Sequence, residues 1–138
     1  MEAIKFKYIP KLITALTFLF LLILIMCLFM GRTVDFLKFD FITQQYPDFY
    51  FNVSNFAISY FIYAGVGYLW LMLGVNFKFI TALGMFLILA NLIYELWIPL
   101  LNTPDIIDAY FGFAGTLIAF AFLWLSFKFG FKLNTEIS

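Results

Sequence analysis

Three carboxylates lie in or beside the hydrophobic segments of the C-terminal half of the chain. Glu95 falls within one hydrophobic run, and Asp105 and Asp108 begin the next. If the turn between these runs centres on Asn102, Glu95 lies seven residues before it and Asp108 six residues after it. At a rise of about 1.5 Å per helical residue, both side chains then lie roughly 9 to 10 Å below the turn. The spacing therefore predicts two carboxylates at one depth on neighbouring helices.

Amide and hydroxyl side chains recur near these acids at helical spacing. Asn91 precedes Glu95 by four residues and so shares its helix face. The preceding hydrophobic run carries polar residues three or four positions apart, which places them on one face: Asn52, Asn55, Ser59 and Tyr63. The candidate ligand-binding residues are Glu95, Asp108, Asp105, Asn91, Asn55 and Ser59.

A carboxylate at this depth in a bilayer costs on the order of 1 to 3 kcal/mol, even on lenient insertion scales. No lysine or arginine lies within the hydrophobic runs to neutralise Glu95. Three arrangements would resolve this cost. Glu95 is protonated, it shares a proton or a bound cation with Asp108, or Arg32 or Lys38 from the first polar connection covers it.

Glu95 and Asp105 also have explanations that need no ligand. A neutral Glu95 bonded to Asn91, Asn55 or Ser59 would tie helices together, and a contact with another protein is a further alternative. Asp105 is explained by its position at a helix start, where a carboxylate faces the positive end of the helix dipole. The polar face of the second run is more typical of helix packing than of a pocket wall.

The composition places the chain in a membrane. Of its 138 residues, 65% are hydrophobic and 12% charged, and the mean hydropathy is +1.03, which is too apolar for one small water-soluble domain. The net charge of zero argues against a nucleic-acid partner. With Cys27 alone and no histidine, a disulfide within the chain, a Cys/His zinc site and a histidine-activated nucleophile are excluded. No cofactor is indicated, and whether a metal binds is left open.

Hydrophobic runs and turn residues divide the chain into four expected spans, at residues 12–30, 53–75, 79–101 and 106–127. Without repeats or linkers, residues 1–138 are expected to form a single transmembrane domain, an all-α four-helix bundle. Residues 31–51 mix charged and aromatic side chains, which predicts a short element lying at the headgroup level. Thr103, Pro104 and Asp105 form a helix start, with Thr103 as the expected N-cap. Glycines expected to allow close helix packing are Gly65, Gly112 and Gly115. Gly112 and Gly115 could instead leave room for a ligand beside Asp108.

The basic residues predict the orientation. With four spans, both termini lie on one side, together with six lysines: Lys5, Lys7, Lys11, Lys78, Lys128 and Lys132. Only Arg32 and Lys38 lie on the other side. Since basic residues favour the cytoplasmic side, both termini are expected there, and the acids are expected near the outer surface.

Residues 52–123 resemble the VanZ-like proteins, which are small bacterial membrane proteins with four helices. The resemblance depends on Asn55-Phe56, on Glu95 within Tyr-Glu-Leu, and on Asp105-Ile-Ile-Asp108 followed by Gly112 and Gly115. The family usually has asparagine where Gly112 stands, and often arginine or serine just before the first aspartate. The resemblance implies a multi-pass protein of the bacterial cytoplasmic membrane with an acidic outer cluster and a link to the cell envelope. It implies no mechanism.

Two classes of function follow. In the first, the bundle binds a lipid-linked or amphipathic envelope molecule at an acidic pocket near the outer leaflet, with Glu95 and Asp108 as polar anchors. In the second, it is an accessory subunit that docks on a larger membrane protein. An enzyme using the two carboxylates as acid and base is the least favoured, because no phosphate loop or nucleophile motif is present.

Overall fold

A computed structural model describes residues 5–97 and 105–135 of the chain. Its helices are α1 (Leu12–Met30), α2 (Asp40–Gln45), α3 (Phe49–Leu73), α4 (Phe77–Trp97) and α5 (Ile106–Leu125). Four of them, α1, α3, α4 and α5, are long and apolar enough to cross a membrane. The expectation of a helical bundle with four such helices is therefore confirmed.

The ends of α1 match the predicted first span, whereas α3 begins four residues before the predicted 53–75 and ends at Leu73. Gly74 ends α3 because its φ of 79° lies in the left-handed region that glycine adopts without strain. The backbone N–H groups of Gly74 and Val75 then donate to carbonyls of the last turn. Gly74 thus serves as a helix cap.

The beginning of α5 is formed by Asp105. Its Oδ1 accepts a hydrogen bond of 2.9 Å from the backbone N–H of Ile107, so Asp105 is the N-cap residue. The predicted cap Thr103, the adjacent Pro104 and the turn around Asn102 lie outside the described residues. A π-helical turn, Ser126–Gly130, extends α5 at its other end.

The chain between α1 and α3 is folded onto the end of α3. It contains a 3₁₀ turn, Asp35–Leu37, and the short helix α2. The buried Tyr50 joins α3 to this connection, because its hydroxyl accepts a hydrogen bond of 2.9 Å from the backbone N–H of Phe39. The expectation of a short element here agrees with α2, which is polar and aromatic and makes no span.

The helical bundle also carries a short two-stranded antiparallel sheet, which the sequence did not predict. Strands β1 (Tyr8–Pro10) and β2 (Phe131–Leu133) pair in the register Tyr8 to Leu133, Ile9 to Lys132 and Pro10 to Phe131. The sequence predicted only a basic start and a short tail, because three-residue strands have too few positions to show a periodic pattern. The sheet places the two ends of the described chain side by side at one end of the bundle.

Helix α3 is the centre of the bundle. It packs on α5 along most of its length, on α1 at a second face, and more sparsely on α4. Its buried side chains include Tyr60, Tyr63 and Ala64, which are shielded completely. By contrast, α1 buries only Thr14 and Ile25, and its exposed leucines, isoleucines and phenylalanines form a surface suited to acyl chains.

The glycines differ in what they contact. A Cβ on Gly115 would clash with the backbone of Phe56, so this glycine allows α5 to approach α3 closely. A Cβ on Gly67 would clash with the side chain of Leu123, so this glycine leaves space for Leu123 of α5. Gly65 is exposed, and a Cβ there would meet nothing within 4 Å. The expected packing role is therefore wrong for Gly65, which lies on the outer side of α3.

Candidate functional site

A cavity of about 420 Å³ lies where the first turns of α3 and α5 meet the last described turn of α4. The connection after α1 closes part of its wall. The lining residues are Arg32, Phe51, Asn52, Ser54, Asn55, Tyr94, Glu95 and Asp108. Three of the six predicted site residues therefore share this cavity, namely Asn55, Glu95 and Asp108.

Glu95 is almost completely shielded from solvent, with 3% of its surface exposed. Its Oε1 accepts a hydrogen bond of 3.0 Å from Nδ2 of Asn55, across the interface between α4 and α3. Its Oε2 has no hydrogen-bond partner among the described residues. Because one oxygen is fixed by Asn55, the carboxyl group has a set orientation, and its second oxygen is buried without a partner among the described residues.

Asp108 brings a second carboxyl group to the same cavity from α5, where it is the third residue of the helix. It is partly buried and close enough to Glu95 for the two acids to repel each other when both are ionised. Two acids from different helices thus face one cavity. Their predicted depth below the turn depends on residues outside the described part of the chain.

Arg32 is the basic residue of this wall. It lines the cavity and donates a hydrogen bond from Nη1 to Oγ of Ser54. The alternative that Lys38 covers the acids is not what the structure has, because Lys38 pairs with Asp35 at 2.6 Å. That hydrogen bond and the Lys38 charge hold the pKa of the Asp35 carboxyl below its usual value.

Asn91 and Ser59 lie one helical turn deeper and do not line the cavity. Nδ2 of Asn91 donates to Oγ of Ser59 at 2.8 Å, and deeper still the Tyr63 hydroxyl donates to the backbone carbonyl of Ile80 at 2.9 Å. We call the three α3 to α4 bonds at Asn55, Ser59 and Tyr63 the polar ladder. The predicted shared face of these three residues agrees with their contacts, but Asn91 and Ser59 join helices beneath the cavity.

Asp105 and Gly112 also support the site from outside the cavity. Asp105 fixes the start of α5 two turns of chain before Gly112 and thereby sets the position of Asp108. A Cβ on Gly112 would lie 2.7 Å from Nδ2 of Asn91, so the glycine leaves space for that amide. Both residues therefore position other groups.

Sequence reasoning missed several wall residues. Ser54 receives the Arg32 guanidinium, and Phe51 and Tyr94 form an exposed aromatic rim with 74% and 41% of their surfaces accessible. The adjacency of Tyr94 to Glu95 and of Ser54 to Asn55 was the available signal. Aromatic residues of this kind are frequent at membrane interfaces.

The chemistry available at the cavity is that of two acids, two amides, two hydroxyl groups and one guanidinium. Within residues 5–97 and 105–135, no group of three or more His, Cys, Asp or Glu side chains is arranged to hold a metal ion. The wall therefore offers acceptors to a donor or cationic group and guanidinium N–H groups to an anionic one. No family model, curated protein or solved structure matches this chain, so the resemblance to VanZ-like proteins stays a prediction.

Proposed function

We propose that this chain is a VanZ-like multi-pass protein of the bacterial cytoplasmic membrane that binds an amphipathic cell-envelope molecule in the Glu95 cavity. The observation that supports this most directly is the Oε2 atom of Glu95. A buried carboxyl oxygen without a partner among the described residues is costly, and a ligand donor would satisfy it.

The position of the cavity favours an amphipathic ligand. Asn55 lies six residues into α3, or about 9 Å from the start of that helix, which corresponds to the outer part of a bilayer. The rim residues Phe51 and Tyr94 are exposed, so the polar cavity opens beside an apolar surface. A molecule with a polar head and an apolar tail satisfies both environments.

The distribution of charge favours an outward-facing cavity. The opposite end of the bundle carries the sheet and six exposed lysines: Lys5, Lys7, Lys11, Lys78, Lys128 and Lys132. The cavity end carries Arg32 and Lys38. Since basic residues are retained on the cytoplasmic side, the sheet lies in the cytoplasm and the cavity faces the periplasm in this proposal.

Co-purification tests the proposal. The protein is purified from bacterial membranes in a mild detergent, and bound amphiphiles are extracted and identified by mass spectrometry. We expect wild type to be enriched in at least one amphiphile relative to the bulk membrane. We expect Glu95→Gln to lose that enrichment, because the amide keeps an acceptor for Asn55 but replaces the second carboxyl oxygen with a donor.

Asp40→Asn is the matched control, since Asp40 is an exposed acid of α2 at the same end of the protein and does not line the cavity. It should retain the amphiphile at the wild-type level. Thermal unfolding must show that Glu95→Gln remains folded. The proposal is wrong if wild type and Glu95→Gln both carry only the lipid composition of the bulk membrane.

A further inference from the structure

The cavity wall holds a guanidinium and a carboxyl group that are hydrogen-bonded to adjacent residues of one helix. Ser54 holds the Arg32 guanidinium, and Asn55 holds the Glu95 carboxyl group. Ser54 and Asn55 are consecutive residues of α3, and both line the cavity. Whatever enters the cavity therefore meets both a guanidinium and a carboxyl group.

Arg32 and Glu95 do not form an ion pair with each other within 4.0 Å. Among the described residues, the ion pair within 4.0 Å is that of Lys38 with Asp35, and Arg32 takes part in none. A guanidinium has five N–H donors, of which the bond to Ser54 uses one. With respect to the described residues, Arg32 thus has donors left for an anionic group, and Oε2 of Glu95 is left as an acceptor for an N–H group.

From this arrangement we propose that the cavity binds a phospholipid whose headgroup carries a primary ammonium beside a phosphate, as in phosphatidylethanolamine. This inference rests on the proposed function and names its ligand class. The ammonium donates to Oε2 of Glu95 and is attracted by the charge of Asp108, and the phosphate accepts from Arg32. The acyl chains leave past the exposed rim of Phe51 and Tyr94.

Other headgroups satisfy only part of this wall. A choline headgroup has a cation without N–H donors, so it leaves Oε2 of Glu95 unbonded. A glycerol headgroup has no cation and places its phosphate charge near two acids. A volume of about 420 Å³ falls within the range of small-ligand sites and is sufficient for a headgroup.

Binding of defined lipids to the purified protein tests the headgroup. Isothermal titration in detergent compares dihexanoyl phosphatidylethanolamine with the choline and glycerol lipids of the same chain length. We expect the ethanolamine lipid to bind about tenfold or more tightly than either, because each of the others loses a charge-assisted hydrogen bond. Free phosphoethanolamine should bind more weakly than the lipid, and equal binding would overturn the assignment to a phospholipid.

Two variants separate the two ends of the headgroup. Decylamine serves as a probe that has the ammonium and lacks the phosphate. Arg32→Gln should weaken binding of the ethanolamine lipid about tenfold and leave binding of decylamine unchanged. Glu95→Gln should weaken binding of both by a similar factor. Lys38→Gln and Asp40→Asn are the matched controls for the loss of one positive and one negative charge at this end of the protein, and both should bind like wild type.

Failure of this inference is distinguishable from failure of the proposed function. If the choline or glycerol lipid binds as tightly as the ethanolamine lipid and still depends on Glu95, the headgroup assignment is wrong and the amphiphile site stands. If none of these lipids binds wild type better than Glu95→Gln, and no amphiphile co-purifies, both proposals are wrong.

Discussion

The two faces that α3 turns toward α5 and α4 are built in different ways. Toward α5, small residues bring the helix backbones close together, with Gly115 against Phe56 and Gly67 under Leu123. Toward α4, the polar ladder joins the helices by side-chain hydrogen bonds, and the cavity lies at the Asn55 end of the ladder. One helix therefore combines a close-packed interface with a polar, partly open one.

The difference is explained by what stabilises helices in a bilayer. Lipid tails are as apolar as leucine, so helices associate through van der Waals packing of small residues more than through exclusion of water. Interhelical hydrogen bonds contribute about 0.6 kcal/mol on average in a membrane protein. The α3 to α5 interface is thus expected to contribute most of the free energy of unfolding. The α3 to α4 interface can then hold a buried acid and a cavity.

The largest expected effect comes from filling the close-packed interface. The Cβ of Gly115→Val would overlap the carbonyl oxygen of Phe56, which belongs to the backbone of α3 and cannot rotate away. The helices must then separate, and overpacking of this kind costs about 3 kcal/mol. Thermal unfolding in detergent, followed by circular dichroism, should show a lower midpoint than that of wild type.

Gly65→Ala is the matched control for that prediction. Gly65 lies in the middle of the same bundle, on the outer face of α3, where an added Cβ meets nothing within 4 Å. Replacing a helical glycine with alanine is expected to stabilise the protein by about 0.5 to 1 kcal/mol. If Gly65→Ala destabilises the protein as much as Gly115→Val, the assignment of stability to the α3 to α5 interface is wrong.

A smaller effect is expected from Gly112→Ala, which touches the polar ladder. The new Cβ would lie 2.7 Å from Nδ2 of Asn91, so the amide must move and the bond from Asn91 to Ser59 weakens. The obstacle is the end of a flexible side chain, and we expect a loss of about 1 kcal/mol in unfolding free energy. Lipid binding measured by titration should stay close to wild type, because Asn91 does not line the cavity.

If Gly112→Ala abolished lipid binding while changing stability little, the conclusion that the polar ladder affects stability and not lipid binding would be wrong. Ser59→Ala provides the comparison, since it removes the acceptor of the same hydrogen bond without adding volume near α5. Both variants should lower the unfolding free energy by similar amounts. A much larger loss in Gly112→Ala would mean that the glycine also sets the spacing of α5 from α4.

The sequence predicted the helices better than it predicted the cavity. Long apolar runs require helices in a bilayer, so the four spans were recognisable, and α1 agreed with its predicted ends. The helical spacing of Asn55, Ser59 and Tyr63 also predicted one polar face correctly, because that face depends only on local periodicity.

The remaining features depend on long-range packing. Arg32 lines the cavity and Lys38 does not, because of the position at which the connection after α1 folds onto α3. No local sequence pattern encodes that position. The outward position of Gly65 likewise depends on which face of α3 meets α5. The pairing of β1 with β2 joins segments more than 120 residues apart through three residues each, as in the pair Tyr8 and Leu133.

The smallest effect on stability is expected from the exposed ion pair of Asp35 and Lys38. The hydrogen bond and charge of Lys38 lower the pKa of Asp35, so the pair stabilises the folded state above the unfolded pKa of the aspartate. This contribution is lost as the pH falls through the lower folded value. Carboxyl-detected NMR titration should give Asp35 a pKa below the ordinary aspartate value of 3.8, and Lys38→Gln should raise it toward that value.

Because water and salt screen an exposed pair, Lys38→Gln should change the unfolding midpoint far less than Gly115→Val does. A comparable loss of stability in both variants would mean that this connection holds the bundle together as strongly as the α3 to α5 interface.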